Sequence, residues 1–381
     1  MPPDYKNNNP GGFPMITVEQ AYNLENADSH QILQLRNQAS ALRDLHWGDV
    51  VTYSRKVFVP LTNMCRDTCG YCTFVKPPGS PDANIMTPEE VMAVVYQGEK
   101  QGCKEVLFSL GEKPEKTYPE ARKFLAERGY NTIIDYLYDM CLMVIENTSM
   151  LPHVNAGTLS EQDIIKLRPV SASMGMMLEN VSRRLMAKGQ AHYACPDKVP
   201  LQRLRTLELT GKHHVPFTTG ILIGIGETWQ ERIDSLIAIN EMHKKYGHIQ
   251  EVIIQNFKAK PGTAMADAPE PSYEDMLKTL AVARLILDHT ISIQAPPNLQ
   301  EHYRDYLHSG INDWGGVSPV TIDHINPERA WPNIKSLEFK SSECGFRLKE
   351  RLAIYPQYKN LPEKYLSHAI SCRVDDIETA A

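Results

Sequence analysis

From about residue 50 onward the sequence alternates between short apolar runs of strand character and longer amphipathic stretches, and few folds accommodate that order. The runs cover 57–61, 105–110, 151–155, 171–178, 215–223, 251–257, 291–295 and, more weakly, a stretch near residue 311. Between them, helical periodicity falls on 87–101, 160–167, 200–210, 229–243, 272–287 and 299–308. Thr87, Pro88, Glu89 and Glu90 provide a cap, a proline for the first helical position and acids for the first turn. Eight strands alternating with about eight helices make an α/β fold with a parallel (β/α) TIM-type barrel. An open doubly wound sheet shares the alternation but carries a glycine-rich phosphate turn after its first strand. Here the first strand runs into cysteines.

Residues 16–47 read as helical, which suggests a division into an N-terminal helical extension (1–49), a barrel (50–331) and a C-terminal extension (332–381) expected to pack outside it. The 381 residues carry 40 Lys and Arg against 46 Asp and Glu, a formal charge of -6. No basic field is available for nucleic acid or an anionic membrane, so a small molecule is the expected partner. The longest uncharged apolar-rich run, 215–226, is well short of the roughly 20 residues that span a bilayer. The first residues lack both the basic-then-apolar order of a secretory signal and the Arg-rich amphipathicity of a transit peptide, so a cytoplasmic location is expected.

Three of the eight cysteines fall within one octet, as Cys65-x3-Cys69-x2-Cys72 directly after the first strand. Cys103, Cys141, Cys195, Cys344 and Cys372 are scattered and read as packing residues. Three thiolates on so short a loop converge on one centre. Structural zinc takes four protein ligands, and the common ferredoxin clusters take four thiolates. A three-cysteine loop therefore either borrows a remote ligand or leaves one iron open.

The Cys65, Cys69, Tyr71, Cys72 pattern at the end of a first barrel strand resembles the radical S-adenosylmethionine enzymes. That resemblance implies a [4Fe–4S] cluster on Cys65, Cys69 and Cys72, with S-adenosylmethionine on the fourth iron. It also implies cosubstrate contacts. Ser109-Leu110-Gly111-Glu112 resembles the family's Gly-Gly-Glu element, with Leu110 in place of its first glycine, and assigns Gly111 and Glu112 to the methionyl ammonium. Glu179, ending the fourth apolar run, is assigned to the ribose hydroxyls. Arg203, on a helix like that of the biotin-synthase branch, is assigned to the methionyl carboxylate, where a forked guanidinium suits the geometry. Gly224 and Glu227 match the adenine element, although a glutamate there more often fixes the turn. A zinc knuckle completed by Cys103 or a histidine is the competing reading of the cysteines.

Longer strings narrow the resemblance. Residues 172–179, 216–227, 255–263 and 311–319 are similar to the family of the first subunit of FO synthase. What this implies is ring closure of 5-amino-5-(4-hydroxybenzyl)-6-(D-ribitylimino)-5,6-dihydrouracil to 7,8-didemethyl-8-hydroxy-5-deazariboflavin (FO), with loss of ammonia. It further implies a companion FO synthase subunit 2 that makes the adduct, and a one-electron donor such as ferredoxin or flavodoxin. Asn312, Asp313 and Trp314, following the presumed eighth strand, are candidate contacts to the uracil or ribityl group, with Asn256 and Lys258 as weaker ones. His192 and Cys195 lie on a loop and receive no role. The rival functions are the companion's reaction, another biotin-synthase-like radical enzyme and a zinc-stabilised scaffold without catalysis.

Overall fold

Strand β1 (Val50–Thr62) is the spine of the molecule. Its Val51, Val57, Val59 and Leu61 side chains are fully buried, and it pairs with two barrel neighbours. The computed structural model describes residues 15–380, so the N-terminal sequence features at 1–14 lie outside the described residues. Around β1 run β2 (Glu105–Leu110), β3 (Leu151–Asn155), β4 (Ser173–Gly175), β5 (Phe217–Ile223), β6 (Ile249–Asn256), β7 (Ser292–Gln294) and β8 (Asp313–Val317). Each pairs in parallel with the next, and β1 pairs with both β2 and β8, closing the eight-stranded barrel.

The helices follow their caps. Helix α1 (Val18–Tyr22) and α2 (Ser29–Trp47) replace the single N-terminal helix expected from sequence, because Asp28 starts a new capping box with Gln31. After β1 come α3 (Pro88–Lys100), then α4 (Pro119–Ala126) and α5 (Ile133–Asn147) between β2 and β3. Helices α6 (Glu161–Leu167), α7 (Pro200–Lys212), α8 (Trp229–Tyr246) and α9 (Tyr273–Ile286) complete the outer ring. Thr87, Ser160 and Thr228 each form a capping box with the acid three residues on. The stretch expected to be helical after β7 is instead a short 3-10 helix, Tyr303–Ser309.

The C-terminal extension takes a course its sequence did not reveal. After α10 (Ile334–Glu343), strand β9 (Arg347–Glu350) joins the barrel sheet, in parallel with Val50–Tyr53 at the start of β1. The next five residues then pass under the strand N-termini. Arg351 pairs with Glu251 (2.9 Å) and Asp313 (2.6 Å), while the Ala353 carbonyl accepts from Ser173 Oγ (2.7 Å) and Gln250 Nε2 (3.1 Å). Helices α11 (Pro356–Lys359), α12 (Pro362–Tyr365) and α13 (His368–Thr379) then build a second apolar cluster against Leu151 and Ala172. The extension thus closes the lower end of the barrel rather than packing outside it.

This corrects the placement of Asn312, Asp313 and Trp314. They begin β8 instead of following it, and so lie at the closed end. The Asn312 amide is used by Arg284 Nη2 (2.6 Å), the Ile293 N–H (2.9 Å) and Ser292 Oγ (3.0 Å). Asp313 accepts from Arg351, from the Tyr355 hydroxyl (2.8 Å) and from Thr52. Trp314 donates to Ser341 Oγ (3.2 Å) and packs edge-on against Tyr303. All three are structural.

Two enclosed histidines set an acid limit on stability. Burial lowers His153 to about 4 and His248 to about 3. The unfolded chain takes up both protons near pH 6.5, whereas the folded chain resists them until far lower pH. The stability this contributes is therefore complete above pH 6.5 and is lost as the pH falls towards 4 and then 3. The urea midpoint is expected to stay level from pH 8 to 7 and to decline below 6.5. A H248Q variant should decline less steeply, and an unchanged slope would remove His248 from the explanation.

Candidate functional site

The chain leaves β1 at Thr62 and enters the cysteine loop, which is tied to the neighbouring strand ends. Gly111 N–H donates to the Thr62 carbonyl (2.8 Å) and Arg66 N–H to the Glu112 carbonyl (3.0 Å). Further along, Gly70 N–H donates to the Ala191 carbonyl (2.7 Å) and the Gly70 carbonyl accepts from Met265 N–H (2.9 Å). The loop is held from three sides. None of its cysteines is in a disulfide, and all three line one cavity of about 360 Å³ that runs down into the barrel lumen.

The three thiols stand in different fields. Burial pushes Cys65 up to about 12, against the opposing N–H donors of Asp67 (3.4 Å) and Glu112 (3.2 Å) to its sulfur. Cys72 is also raised by burial. Cys69 is lowered, first by a hydrogen bond from Cys195 and against its own burial. Cys195 is thus a neighbour of the loop, set behind Cys69 and outside the cavity lining, where sequence had given it no part. Backbone N–H groups on Cys65 and a thiol donor on Cys69 are what thiolate ligands of a cluster need around them. Cys103 stands just before β2, at the opposite end of that strand from the loop, and so does not complete a four-ligand zinc site there.

Gly111 sets how closely the loop approaches. A Cβ at this position would lie 2.1 Å from the Met64 carbonyl oxygen and 2.8 Å from Cys65 Cβ, so no side chain fits without moving the loop backbone. G111A is expected to lower the iron bound per chain after anaerobic reconstitution, with the barrel still folded. Full iron loading in that variant would show that the loop tolerates the shift.

Around the cavity rim the charged residues interlock. Glu112, buried at the end of β2, accepts from Thr158 N–H (2.6 Å) and Thr158 Oγ1 (2.8 Å) and faces Arg203 Nη1 at 3.4 Å. Glu179 sits where the chain turns out of the barrel with a φ of 64°. Its carboxylate meets Lys198, Tyr71 and His192 Nε2 (2.9 Å), with Arg203 Nη2 at 3.9 Å. Burial alone would raise Glu179, but Lys198, His192 and Arg203 outweigh it and hold the carboxyl well below its ordinary value. Arg203 commits most of its guanidinium to the Met177 carbonyl (2.8 and 2.5 Å) and the Asp197 carbonyl (3.1 Å). Its fork is therefore spent on protein, and positive charge is what it offers the cavity.

Sequence reasoning missed Asp197 and Lys198. Asp197, fully buried, binds Arg66 and Lys113 (2.7 Å) and accepts from Thr158 Oγ1 (2.9 Å), linking the cysteine loop to the β2 and β3 ends. Lys198 lines the cavity against Glu179. The only signal was their place beside Cys195, in the short 3-10 helix Pro196–Lys198. Gly224 and Glu227 do not line the cavity. The Glu227 carboxylate accepts from Gly224 N–H (2.9 Å) and Ile225 N–H (2.9 Å) and pairs with Arg232 (2.8 Å), fixing the turn after β5. Asn256 ends β6 with its side-chain oxygen buried and unpartnered among the described residues, and Lys258 pairs with Glu270 at 2.7 Å.

Among the described residues no helix is long and apolar enough to cross a membrane. Residues 59–239 match the Radical SAM superfamily. The chain is 51% identical over 310 residues to the 7,8-didemethyl-8-hydroxy-5-deazariboflavin synthase of Methanopyrus kandleri, covering 81% of this chain and 92% of that one. It is 45% identical over 371 residues to the FO synthase of Nocardia farcinica, covering 94% of this chain but 43% of the relative. The chain thus spans less than half the length of such FO synthases. In structure it resembles HydG, a maturase of the [FeFe]-hydrogenase (TM-score 0.73, 18% identity, 93% of this chain and 75% of that one), and methylornithine synthase (TM-score 0.69, 17% identity, 89% and 95%). At these identities the likeness is one of fold.

Proposed function

The chain belongs to the radical SAM superfamily and, within it, to the FO synthase family, and on that premise we propose that it closes the deazaflavin ring. It converts 5-amino-5-(4-hydroxybenzyl)-6-(D-ribitylimino)-5,6-dihydrouracil and S-adenosylmethionine, which serves as the oxidant, to FO, ammonia, methionine and 5′-deoxyadenosine. The observation that carries this reading is the lining of a single cavity by Cys65, Cys69 and Cys72 together with Glu112, Glu179 and Arg203. It is supported by a likeness that extends over 92% of a relative named for that synthase activity.

In this reading Cys65, Cys69 and Cys72 would hold a [4Fe–4S] cluster with one iron left open for S-adenosylmethionine. When bound, this pair supplies one-electron cleavage of the sulfonium to methionine and a 5′-deoxyadenosyl radical. The residues supply position and field. Gly111 and Glu112 receive the ammonium, Glu179 the ribose hydroxyls, and Arg203 with Lys198 the positive charge that a carboxylate needs. Gly224 and Glu227 hold the turn that shapes the adenine side. The enclosed lumen below keeps water from the reacting carbon.

Residues 50–331 act as the catalytic barrel, with 1–49 and 332–381 as its extensions. A ferredoxin or flavodoxin provides the electron in the cytoplasm, and a companion FO synthase subunit 2 provides the adduct. The test is to supply the anaerobically reconstituted protein with reductant, S-adenosylmethionine and either the adduct or tyrosine plus ribitylaminouracil. Fluorescent deazaflavin from the adduct alone is the expected result. Turnover of tyrosine and ribitylaminouracil instead would transfer the chain to the companion's reaction.

A further inference from the structure

Below the charged rim the cavity continues between the strands, and there each cation is paired. Lys56 pairs with Glu105 at 2.6 Å and Arg351 with Glu251 at 2.9 Å. What remains on offer is neutral. The side-chain amides of Asn155 at the end of β3, Gln255 on β6 and Gln294 on β7 all line the cavity, and among the described residues none of them has a side-chain hydrogen bond. Gln294 is only 9% exposed. Asn155 and Gln255 are half-buried, so the three amides reach the cavity with donors and acceptors left for a ligand to use.

The backbone makes room for these side chains. A Cβ on Gly315 would stand 1.9 Å from Gln294 Nε2, and one on Gly316 would stand 2.3 Å from Lys56 Cε. Two successive glycines in β8 thus let long polar side chains lie across the lumen. Another part of the wall is aromatic, with Phe58 stacked on Trp331 at a ring separation of 5.3 Å. The amides thus share the cavity wall with an aromatic pair.

Resting on the function proposed above, we infer that Asn155, Gln255 and Gln294 hold the pyrimidinedione and polyol portion of the substrate, with its phenol ring on the Phe58 and Trp331 side. A primary amide carries both donors and an acceptor, so it can pair with the N–H and C=O of an imide edge or with successive hydroxyls. A free amino-acid carboxylate finds no uncompensated cation in the lumen, and its burial there is disfavoured. The lumen therefore selects the adduct, which has no carboxylate, over free tyrosine.

The test uses the anaerobic holoenzyme and FO itself as the probe, because FO carries both the pyrimidinedione and the ribityl chain and is fluorescent. Wild-type protein should quench FO saturably. Gln294→Leu and Gln255→Leu should each weaken FO binding about tenfold and raise KM for the adduct by a similar factor, as expected when a site built to hydrogen-bond loses its partner. Iron content should stay at the wild-type value; if Gln294→Leu loses its cluster, Gln255→Leu decides the question. Wild-type affinity in a loaded variant would overturn this inference alone. A wild-type enzyme that neither binds FO nor turns over the adduct would overturn the proposed function and this inference with it.

Discussion

Replacing any one of Cys65, Cys69 or Cys72 by Ala is expected to leave a colourless protein that no longer cleaves S-adenosylmethionine. Each thiol lines the same cavity and each is free of disulfide, so losing one removes a third of the protein's hold on the cluster. A fall in 5′-deoxyadenosine formation of about a thousandfold or more, about 4 kcal/mol of barrier, is expected for each. Iron and sulfide content and 5′-deoxyadenosine yield are the measurements. Cys195→Ala separates ligation from proximity. Cys195 is the neighbour that most lowers Cys69, and loss of such an outer partner costs about tenfold to a hundredfold while the ligand set survives. If Cys195→Ala were as colourless as the three loop variants, Cys195 would be a fourth ligand and no iron would be left open.

Arg351→Met should be the most destabilising change outside the cavity mouth. Arg351 is the cation between Glu251 and Asp313, all three buried, at 2.9 and 2.6 Å. Removing it strands two carboxylates beneath the barrel, and breaking a buried pair from one side costs about 3–5 kcal/mol. The tail would also lose its anchor under the strands. Urea unfolding should register the full loss. Arg347→Ala, four residues earlier, is the contrast, because its partner Asp49 is exposed and the pair stands in solvent. No measurable change is expected there. Equal losses in the two variants would mean that the lower seal is not what Arg351 contributes.

The barrel was legible because each strand is a short apolar run and most helices announce their starts with a capping residue and an acid three positions on. The cysteine loop was legible because its ligands are close in sequence. The charges that engage Glu179 were not. Tyr71 reaches that carboxylate from the cysteine loop and His192 and Lys198 from the segment before α7, and no periodicity connects them. The tail was opaque for a related reason. Arg351 finds Glu251 and Asp313 only after β9 has placed it under the barrel. Asn312, Asp313 and Trp314 were misread by a few residues of strand boundary, which moved them from one end of the barrel to the other.

The claim on which the rest depends is that Cys65, Cys69 and Cys72 leave one iron for the cosubstrate. Adding S-adenosylmethionine labelled with nitrogen-15 at its amino group to the reduced, reconstituted protein, and recording the cluster by pulsed electron paramagnetic resonance, addresses it directly. A resolved coupling between the cluster spin and the label, lost in the cysteine variants, is the expected result. A reduced four-iron cluster with no coupling to the label, whatever the cosubstrate concentration, would contradict it.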